Sequence, residues 1–382
     1  MTLFPDLGGD PRAAVARSSD VLAWFGALGD AVVGNSPGFA LRKASLARAL
    51  CEIAEVPDSE RDAAYFAGKL HAIGAIGNAA LRKGERLSDR ISRMERWDVP
   101  AQGARLCEAI AVLPVDTSDL VRWQAECWDG TGYPDQLRWH GIPLSAQLLG
   151  IADRYLHAND PEEALGGIGL EAGRAYSPDA VRAFTMWFHL NNGDVALTAP
   201  PTDALRSVPG RTASELLGDF ADRIDEHNGV PGRWRRVAGL ALGAANHLKL
   251  DAEAMLTVEI AAHLFGSGEL TTDKAEDEDF DPLARLGIDH RAAHAAVSAM
   301  FAEPHATFKT TAPVLAARAE WFDGTGKPRG VGRNDIPVAA SVLAAAIAYE
   351  HLDRGERIEG AAGTQFDPKV VRAVVESAKA RT

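Results

Sequence analysis

Apolar residues recur at helical spacing along most of the chain. In one segment Leu46, Leu50 and Ile53 follow an i, i+4, i+7 pattern, and residues 237–248 carry a similar stripe. Few runs alternate with the period of two that a β-strand requires, and alanine-rich stretches such as VAASVLAAAIAYEHL favour helix. The pattern predicts an all-α protein.

The helical pattern occurs twice. The string DGTGYP at 129–134 returns as DGTGKP at 323–328, an offset of 194 residues (323 − 129). An Ile-Pro pair after each string and a Pro-Gly pair well before it recur at the same offset, which indicates a duplicated domain. Prolines mark the boundary between the copies. We predict a leading segment at 1–14, a first domain at 15–198, a linker at 199–209 and a second domain at 210–382.

Composition narrows the range of functions. Hydrophobic residues make up 46% and charged residues 24% of the 382, as in folded globular proteins. The net charge of −13 disfavours DNA and anionic membranes as partners. No apolar stretch is long enough to span a membrane and the N-terminus lacks a signal-peptide layout, so we expect a cytoplasmic protein. Three widely spaced cysteines predict neither a disulfide framework nor a thiolate zinc site.

The two motif-bearing segments carry a specific resemblance. The first is ECWDGTGYPDQLRWHGIPLSAQLLGIADRY, which combines the glycine loop with Ile-Pro and Ile-Ala-Asp. It resembles the signature of HD-GYP domains, the cyclic di-GMP phosphodiesterase branch of the HD-domain metallophosphohydrolases. The second segment keeps the loop but has Lys327 in place of the tyrosine. The resemblance implies two HD-domain-like helical bundles in tandem.

The same resemblance implies a catalytic centre that this chain has largely lost. Family members hold two or three iron or manganese ions through several histidines and the aspartate of a His-Asp pair, and a metal-bound water attacks the phosphodiester. In this chain His71 is followed by Ala72, and its matched residue in the second copy, His263, is followed by Leu264. Without the bridging carboxylate, two metal ions would repel each other at close range.

Most other ligand positions of the family are also changed. The substituted positions hold Phe39, Val99, Gln124 and Ala125 in the first copy and Arg233, Arg318, Ala319 and Ile347 in the second. The vestigial candidates that remain are His71, Asp153, His263 and His290. Because a tight site needs a complete shell of ligands, we predict no metal cofactor; iron or manganese would be the metal of any incomplete site.

The function predicted from these losses is regulatory. Our main hypothesis is a catalytically inactive signalling protein that acts by binding a protein or a nucleotide. The alternative is a residual metal-dependent phosphodiesterase that acts on cyclic di-GMP or a related nucleotide. A third hypothesis gives the paired repeats a purely structural role. The acidic composition weighs against cyclic dinucleotide binding, which stays open at this point, as does the choice between monomer and dimer.

The glycine loop is retained in both copies. In the family this loop contacts partner proteins, notably GGDEF-type diguanylate cyclases, so a GGDEF-type or other signalling protein is the expected partner. The predicted binding residues are Trp128, Asp129, Gly130, Gly132, Tyr133, Pro134, Asp323, Gly324, Gly326, Lys327 and Pro328. Tyr133 and Trp128 are the expected aromatic anchors. The competing interpretation is that the loop forms only a tight turn and that Tyr133 belongs to the core.

Overall fold

The computed structural model describes residues 11–77, 98–205, 217–218, 220–222, 225, 231–270, 290–351 and 356–381. Over these residues the regular structure is helical, and the only β-type pairings are two isolated bridges, Ala172 to Tyr176 and Ala362 to Phe366. The predicted all-α fold is therefore confirmed. No helix among these residues is both long and apolar enough to cross a membrane.

The chain divides into two compact units. The first comprises residues 1–79 and 91–211, and the second comprises residues 80–90 and 212–382. The change of unit at residue 211 lies next to the proline-bearing stretch that the sequence marks as a linker.

The first unit contains these helices: α1 Pro11–Val33, α2 Phe39–Ile53, α3 Asp58–Lys69, α4 Ile73–Gly77, α5 Asp98–Ala109, α6 Thr117–Trp123, α7 Leu144–Leu156, α8 Pro161–Leu170 and α9 Pro178–Asn191. Short 3-10 turns cover Trp139–Gly141 and Thr202–Ala204. The second unit contains α10 Arg233–His247, α11 Ala252–Leu264, α12 Ser267–Leu270, α13 His290–Ala302, α14 Thr311–Ala317, α15 Val338–His351, α16 Glu356–Gly360 and α17 Pro368–Lys379, with 3-10 turns at Ala306–Phe308 and Arg333–Asp335.

Helix α2 forms the centre of the first unit because its apolar stripe packs against α3 and α7. Leu46 and Leu50 are buried, as the spacing predicts, and each contributes about 2 kcal/mol of hydrophobic stabilisation. Helix α3 approaches closely at Gly68, where an added Cβ would lie 2.7 Å from the Cα of Ala44. A single substitution at this glycine would push the two helices apart.

Capping residues mark where helices α8 and α9 begin. Asp160 accepts a hydrogen bond from the Glu163 backbone N–H at 2.8 Å and caps α8. Ser177 accepts one from Ala180 at 3.2 Å and caps α9. Proline follows each cap at the first helical position, where its missing N–H costs nothing.

The duplication is visible in the helix boundaries. Helices α2, α3, α4, α6 and α7 begin 194 residues before α10, α11, α12, α14 and α15, as in 233 − 39 and 338 − 144. The offset falls to 190 at the last helices, α9 and α17 (368 − 178). A connection shortened by four residues accounts for the looser C-terminal match in the sequence.

Candidate functional site

The first unit contains a cavity of about 560 Å³, a size typical of small-molecule sites. The cavity lies beside the DGTGYP loop. Its other walls come from the start of α2, the turn between α3 and α4, the end of α6 and helix α7. Its polar walls include Asn35, Lys43, His71, Gln124, Asp153 and His157, and its aromatic walls include Tyr133 and Tyr176.

A lysine occupies the centre of these polar groups. The Lys43 ammonium lies 2.7 Å from Asp153 Oδ1 and donates a second hydrogen bond to Gln124 Oε1 at 2.8 Å. The Lys43 side chain is 2% exposed, whereas that of Asp153 is 40% exposed. Burial raises the pKa of Asp153, but the Lys43 charge and a hydrogen bond from His157 outweigh burial and hold this pKa well below its usual range. Asp153 is therefore an ionised carboxylate.

His71 lies beside this pair as a neutral ring. Its Nδ1 is 3.1 Å from the Gly68 carbonyl oxygen and must donate to it, which leaves Nε2 as an acceptor. The side-chain amide of Asn35 reaches Nε2 at 3.2 Å and donates to it. Burial, followed by the nearby Lys43 charge, lowers the pKa of His71 to about 3.

His157 has the opposite character. Its Nδ1 lies 2.9 Å from the Asp153 carbonyl oxygen, and its Nε2 lies 3.2 Å from Asn35 Oδ1. The Asn35 amide is oriented by its N–H groups, which face Asp30 and His71, so its oxygen must face His157. Both ring nitrogens of His157 thus face acceptors, and a hydrogen bond to Asp153 raises its pKa. The network favours a protonated, cationic ring.

These residues do not fit a metal centre. Six positions at which the family resemblance expects metal ligands line the cavity: His71, Ala72, Val99, Gln124, Ala125 and Asp153. Only three of them, His71, Gln124 and Asp153, carry polar side chains. The Lys43 ammonium already contacts two of them, and a divalent cation placed there would be repelled by its charge. Within the described ranges no group of three or more His, Cys, Asp or Glu side chains lies close enough to hold a metal ion.

A buried glutamate organises the DGTGYP loop beside the cavity. Glu126 is 4% exposed and accepts the backbone N–H of Asp135 at 2.6 Å and that of Leu137 at 3.0 Å. Asp129 Oδ1 accepts both the N–H and the hydroxyl of Thr131, at 3.0 and 2.6 Å. The carboxylates hold the turn in one conformation.

The second unit builds the same loop from equivalent residues. Glu320 accepts the backbone N–H of Arg329 at 2.8 Å and that of Val331 at 3.1 Å. Asp323 accepts the N–H and hydroxyl of Thr325 at 2.9 and 2.7 Å. Asp129 and Asp323 therefore occupy matching places, as the offset of 194 predicts.

Glycines are required at two points of each loop. Gly130 and Gly324 have φ angles of 83° and 86°, in the left-handed region that disfavours other residues. At Gly132 and Gly326 an added Cβ would lie 2.1 Å from a backbone nitrogen of the same loop. The tight-turn interpretation thus explains these four glycines.

The predicted aromatic anchors are both half-buried. Tyr133 lines the cavity and Trp128 lies in the loop next to it, so neither is a fully buried core residue. Pro134 is half-buried, whereas Lys327 and Pro328 of the second loop are exposed. The role of these residues in binding stays a prediction.

The second unit has different residues at the four positions that match the polar cavity residues Lys43, His71, Gln124 and Asp153 of the first unit. The counterparts of Lys43, His71, Gln124 and Asp153 at the offset of 194 are Val237, Phe265, Arg318 and Ile347. Val237 is fully buried, and the guanidinium carbons of Arg233 and Arg318 each lie 5.7 Å from the centre of the Phe265 ring. An ion pair like that of Lys43 and Asp153 is impossible at these positions.

The structure changes the pairing of the vestigial histidines. His263 lies within α11, where its Nδ1 is 2.8 Å from the Glu259 carbonyl oxygen and burial lowers its pKa. Its counterpart at the offset of 194 is Lys69 (263 − 194), and the residue matching His71 is Phe265 (71 + 194). The pairing of His71 with His263 is therefore wrong. His290 begins α13, but its side chain lies outside the described residues.

Comparisons with known proteins agree with the helical duplication. The sequence profile of the HD domain family matches residues 29–165 and again residues 220–367. The 3'3'-cGAMP-specific phosphodiesterase 3 of Vibrio cholerae is 25% identical over 241 residues, which cover 59% of this chain and 52% of the relative. A cyclic di-GMP phosphodiesterase of Thermotoga maritima is 30% identical over 138 residues, 31% of this chain and 35% of the relative.

A solved structure shares the fold. The crystal structure of a cyclic GMP-AMP specific phosphodiesterase of V. cholerae, V-cGAP3, has a TM-score of 0.65 and 17% identity, and the match covers 94% of this chain and 97% of that one. At this identity the likeness shows the fold alone. The matched segments of the chain span about half the length of the first relative above and about a third of the second.

Proposed function

The chain belongs to the HD domain family, with one copy of the domain in each half, and we propose that the first copy is a metal-independent binding module for a cyclic dinucleotide. One observation carries this proposal: the Lys43 ammonium holds Gln124 and Asp153, two positions at which the family resemblance expects metal ligands. The protein then acts in the cytoplasm as a regulatory member of the family that binds its ligand without turnover.

The cavity suits such a ligand in size and chemistry. Its lining includes the basic side chains of Lys43, His157 and the exposed Arg154, and phosphates are recognised by such groups. Tyr133 and Tyr176 supply aromatic surface, on which nucleobases stack. The names of the relatives, which are phosphodiesterases of cyclic di-GMP and cyclic GMP-AMP, indicate the ligand class. This local chemistry outweighs the acidic charge of the whole chain.

The same names favour a second candidate, a residual metal-dependent phosphodiesterase. Hydrolysis would require the Lys43 ammonium to leave Asp153, so that a metal ion could reach this carboxylate and His71 Nε2. In the present arrangement Lys43 hydrogen-bonds the Asp153 carboxylate, and Asn35 hydrogen-bonds His71 Nε2.

Binding and turnover can be separated on the purified full chain. Calorimetric titration with cyclic di-GMP and with 3'3'-cGAMP in EDTA should detect binding. Chromatography after incubation with Mn²⁺ or Fe²⁺ should detect no linear dinucleotide. Metal-dependent product that His71→Ala abolishes would establish the second candidate, and the absence of both binding and product would overturn both.

The DGTGYP loop remains our proposed contact for a protein partner. The loop carries Trp128 and Tyr133, of which Tyr133 also lines the cavity, and both side chains combine apolar area with a polar tip. Capture of a GGDEF-type protein by the immobilised chain, with and without cyclic dinucleotide, tests this part of the proposal. Equal recovery on beads that lack the chain would overturn it.

A further inference from the structure

We infer that Lys43 binds the ligand directly, through a hydrogen bond from its ammonium to an anionic phosphodiester oxygen. This inference rests on the proposed function and names the group that replaces the metal ions. It assigns a binding role to a lysine on the second turn of α2, at the position where the second repeat has Val237.

The donors of Lys43 are incompletely used within the protein. An ammonium group has three N–H donors, and Gln124 Oε1 and Asp153 Oδ1 accept two of them. The described residues offer no acceptor for the third. Because the side chain is 2% exposed but lines the cavity, this donor is open to a ligand there. A buried donor without an acceptor costs free energy, which a ligand oxygen would recover.

The position of the ammonium is fixed before any ligand arrives. The Gln124 side-chain amide donates to the His71 carbonyl oxygen at 3.1 Å and to that of Val121 at 3.0 Å, so its oxygen must face Lys43. Asp153 is held on its other side by His157, whose Nδ1 lies 3.5 Å from Oδ2. A donor that is oriented in advance loses little entropy on binding.

The local charge also favours an anion. Lys43, Arg154 and the ring of His157, whose pKa is raised by its hydrogen bond to Asp153, supply positive charge along the cavity, against the carboxylates of Asp153 and Glu126. Both Glu126 oxygens already accept backbone N–H groups of the DGTGYP loop. The carboxylate of Asp30 lies deeper, behind Asn35, and is 2% exposed. A phosphodiester carries one negative charge per phosphate, which this wall can balance without a metal ion.

Two variants and a control test the inference. Lys43→Gln removes the charge and keeps a side chain able to hydrogen-bond Gln124 and Asp153. The double variant K43V/D153I installs the residues of the second unit, which are compatible with the same helices. Lys309→Met removes an exposed lysine from the second unit. Affinity for cyclic di-GMP and 3'3'-cGAMP is measured by calorimetry in EDTA, and melting temperature checks folding.

We expect Lys43→Gln to weaken binding at least tenfold, K43V/D153I to abolish it, and Lys309→Met to leave it within twofold of the original. If the original chain binds but folded Lys43→Gln binds equally well, the role of Lys43 is overturned and the proposed function stands. If the original chain binds neither dinucleotide, both fall. Binding that appears only with Mn²⁺ would show that a metal ion, and not Lys43, holds the phosphate.

Discussion

The two repeats share a loop and differ in the space behind it. In each loop a buried glutamate, Glu126 or Glu320, accepts two backbone N–H groups. Behind the loop the first repeat places the Lys43 and Asp153 ion pair, where the second has Val237 and Ile347. The loop therefore indicates which fold each repeat has, whereas the side chains behind it determine which ligands the repeat can bind.

The physical reason lies in what each part must satisfy. The loop has backbone groups that need fixed partners, so its glutamate and glycines tolerate little change. The interior positions need only complementary volume and paired charges. A buried ion pair and an apolar pair of similar size can be nearly equal in stability, so the two repeats can differ in chemistry and keep the same helices.

The sharpest way to break this comparison is to move the lysine into the second repeat. Val237→Lys places an ammonium at a fully buried position. The residue that matches Asp153 in this repeat is Ile347, which cannot pair with the new charge. An unpaired buried charge should lower the free energy of unfolding by about 4 kcal/mol. Adding Ile347→Asp should restore about half of this loss. Urea denaturation measures both; equal stability of Val237→Lys and the original chain would contradict the account of the two interiors.

The loops should respond equally to a methyl group. Gly132→Ala and Gly326→Ala each place a Cβ 2.1 Å from a backbone nitrogen, so each should cost about 3 kcal/mol through displacement of the loop. Gly141→Ala and Gly360→Ala are matched controls because nothing lies within 4 Å of the added atom. Denaturation curves should show losses at the first two sites only. A tolerated alanine in one loop would mean that the loops are not equivalent.

The free energy of unfolding should depend on pH in the same way in both repeats, through a buried aspartate near the start of α2 and another near the start of α10. Asp30 accepts the Ala40 backbone N–H at 2.7 Å, and Asp225 accepts that of Trp234 at 2.6 Å. Burial raises the pKa of each carboxyl from 3.8 to about 6. The folded state therefore binds more protons than the unfolded state between about pH 4 and pH 6, and these groups lose stabilisation as the pH rises through that window.

Asp30→Asn and Asp225→Asn should remove this slope, because an amide keeps one oxygen to accept the backbone N–H of Ala40 or Trp234 and does not titrate. Relative to the original chain, each variant should gain about 2 kcal/mol in unfolding free energy between pH 4 and pH 7. Denaturation at several pH values measures the difference. A change at only one of the two sites would show that the two carboxyls are buried differently.

The contrast between loop and interior also explains what the sequence could predict. The helices, the duplication and the equivalence of Asp129 and Asp323 follow from periodicity and a constant offset. Lys43 escapes such reasoning because a lysine in a helix is usually solvated; its only signal is a place in the apolar stripe where the second repeat has Val237. Asn35 and His157 escape because residues 122 apart meet only in the folded chain.

The smallest effect should come from exchanging the one loop residue that differs in the motif. Tyr133 and Lys327 both donate their backbone N–H to equivalent carbonyls at 3.2 Å, but Tyr133 lines the cavity, whereas Lys327 is exposed. Tyr133→Lys should therefore cost only about 1 kcal/mol of stability, for the half-buried ring. It should weaken dinucleotide binding about tenfold, and Tyr133→Phe should preserve most of the affinity.

Melting, calorimetry and capture of a GGDEF-type partner on the same variants distinguish the possible roles of Tyr133. Loss of dinucleotide binding alone makes Tyr133 a wall of the cavity, and loss of capture alone makes it an interface anchor. A loss of about 3–5 kcal/mol in stability would make it a core residue, because that is the cost of removing a large buried aromatic ring.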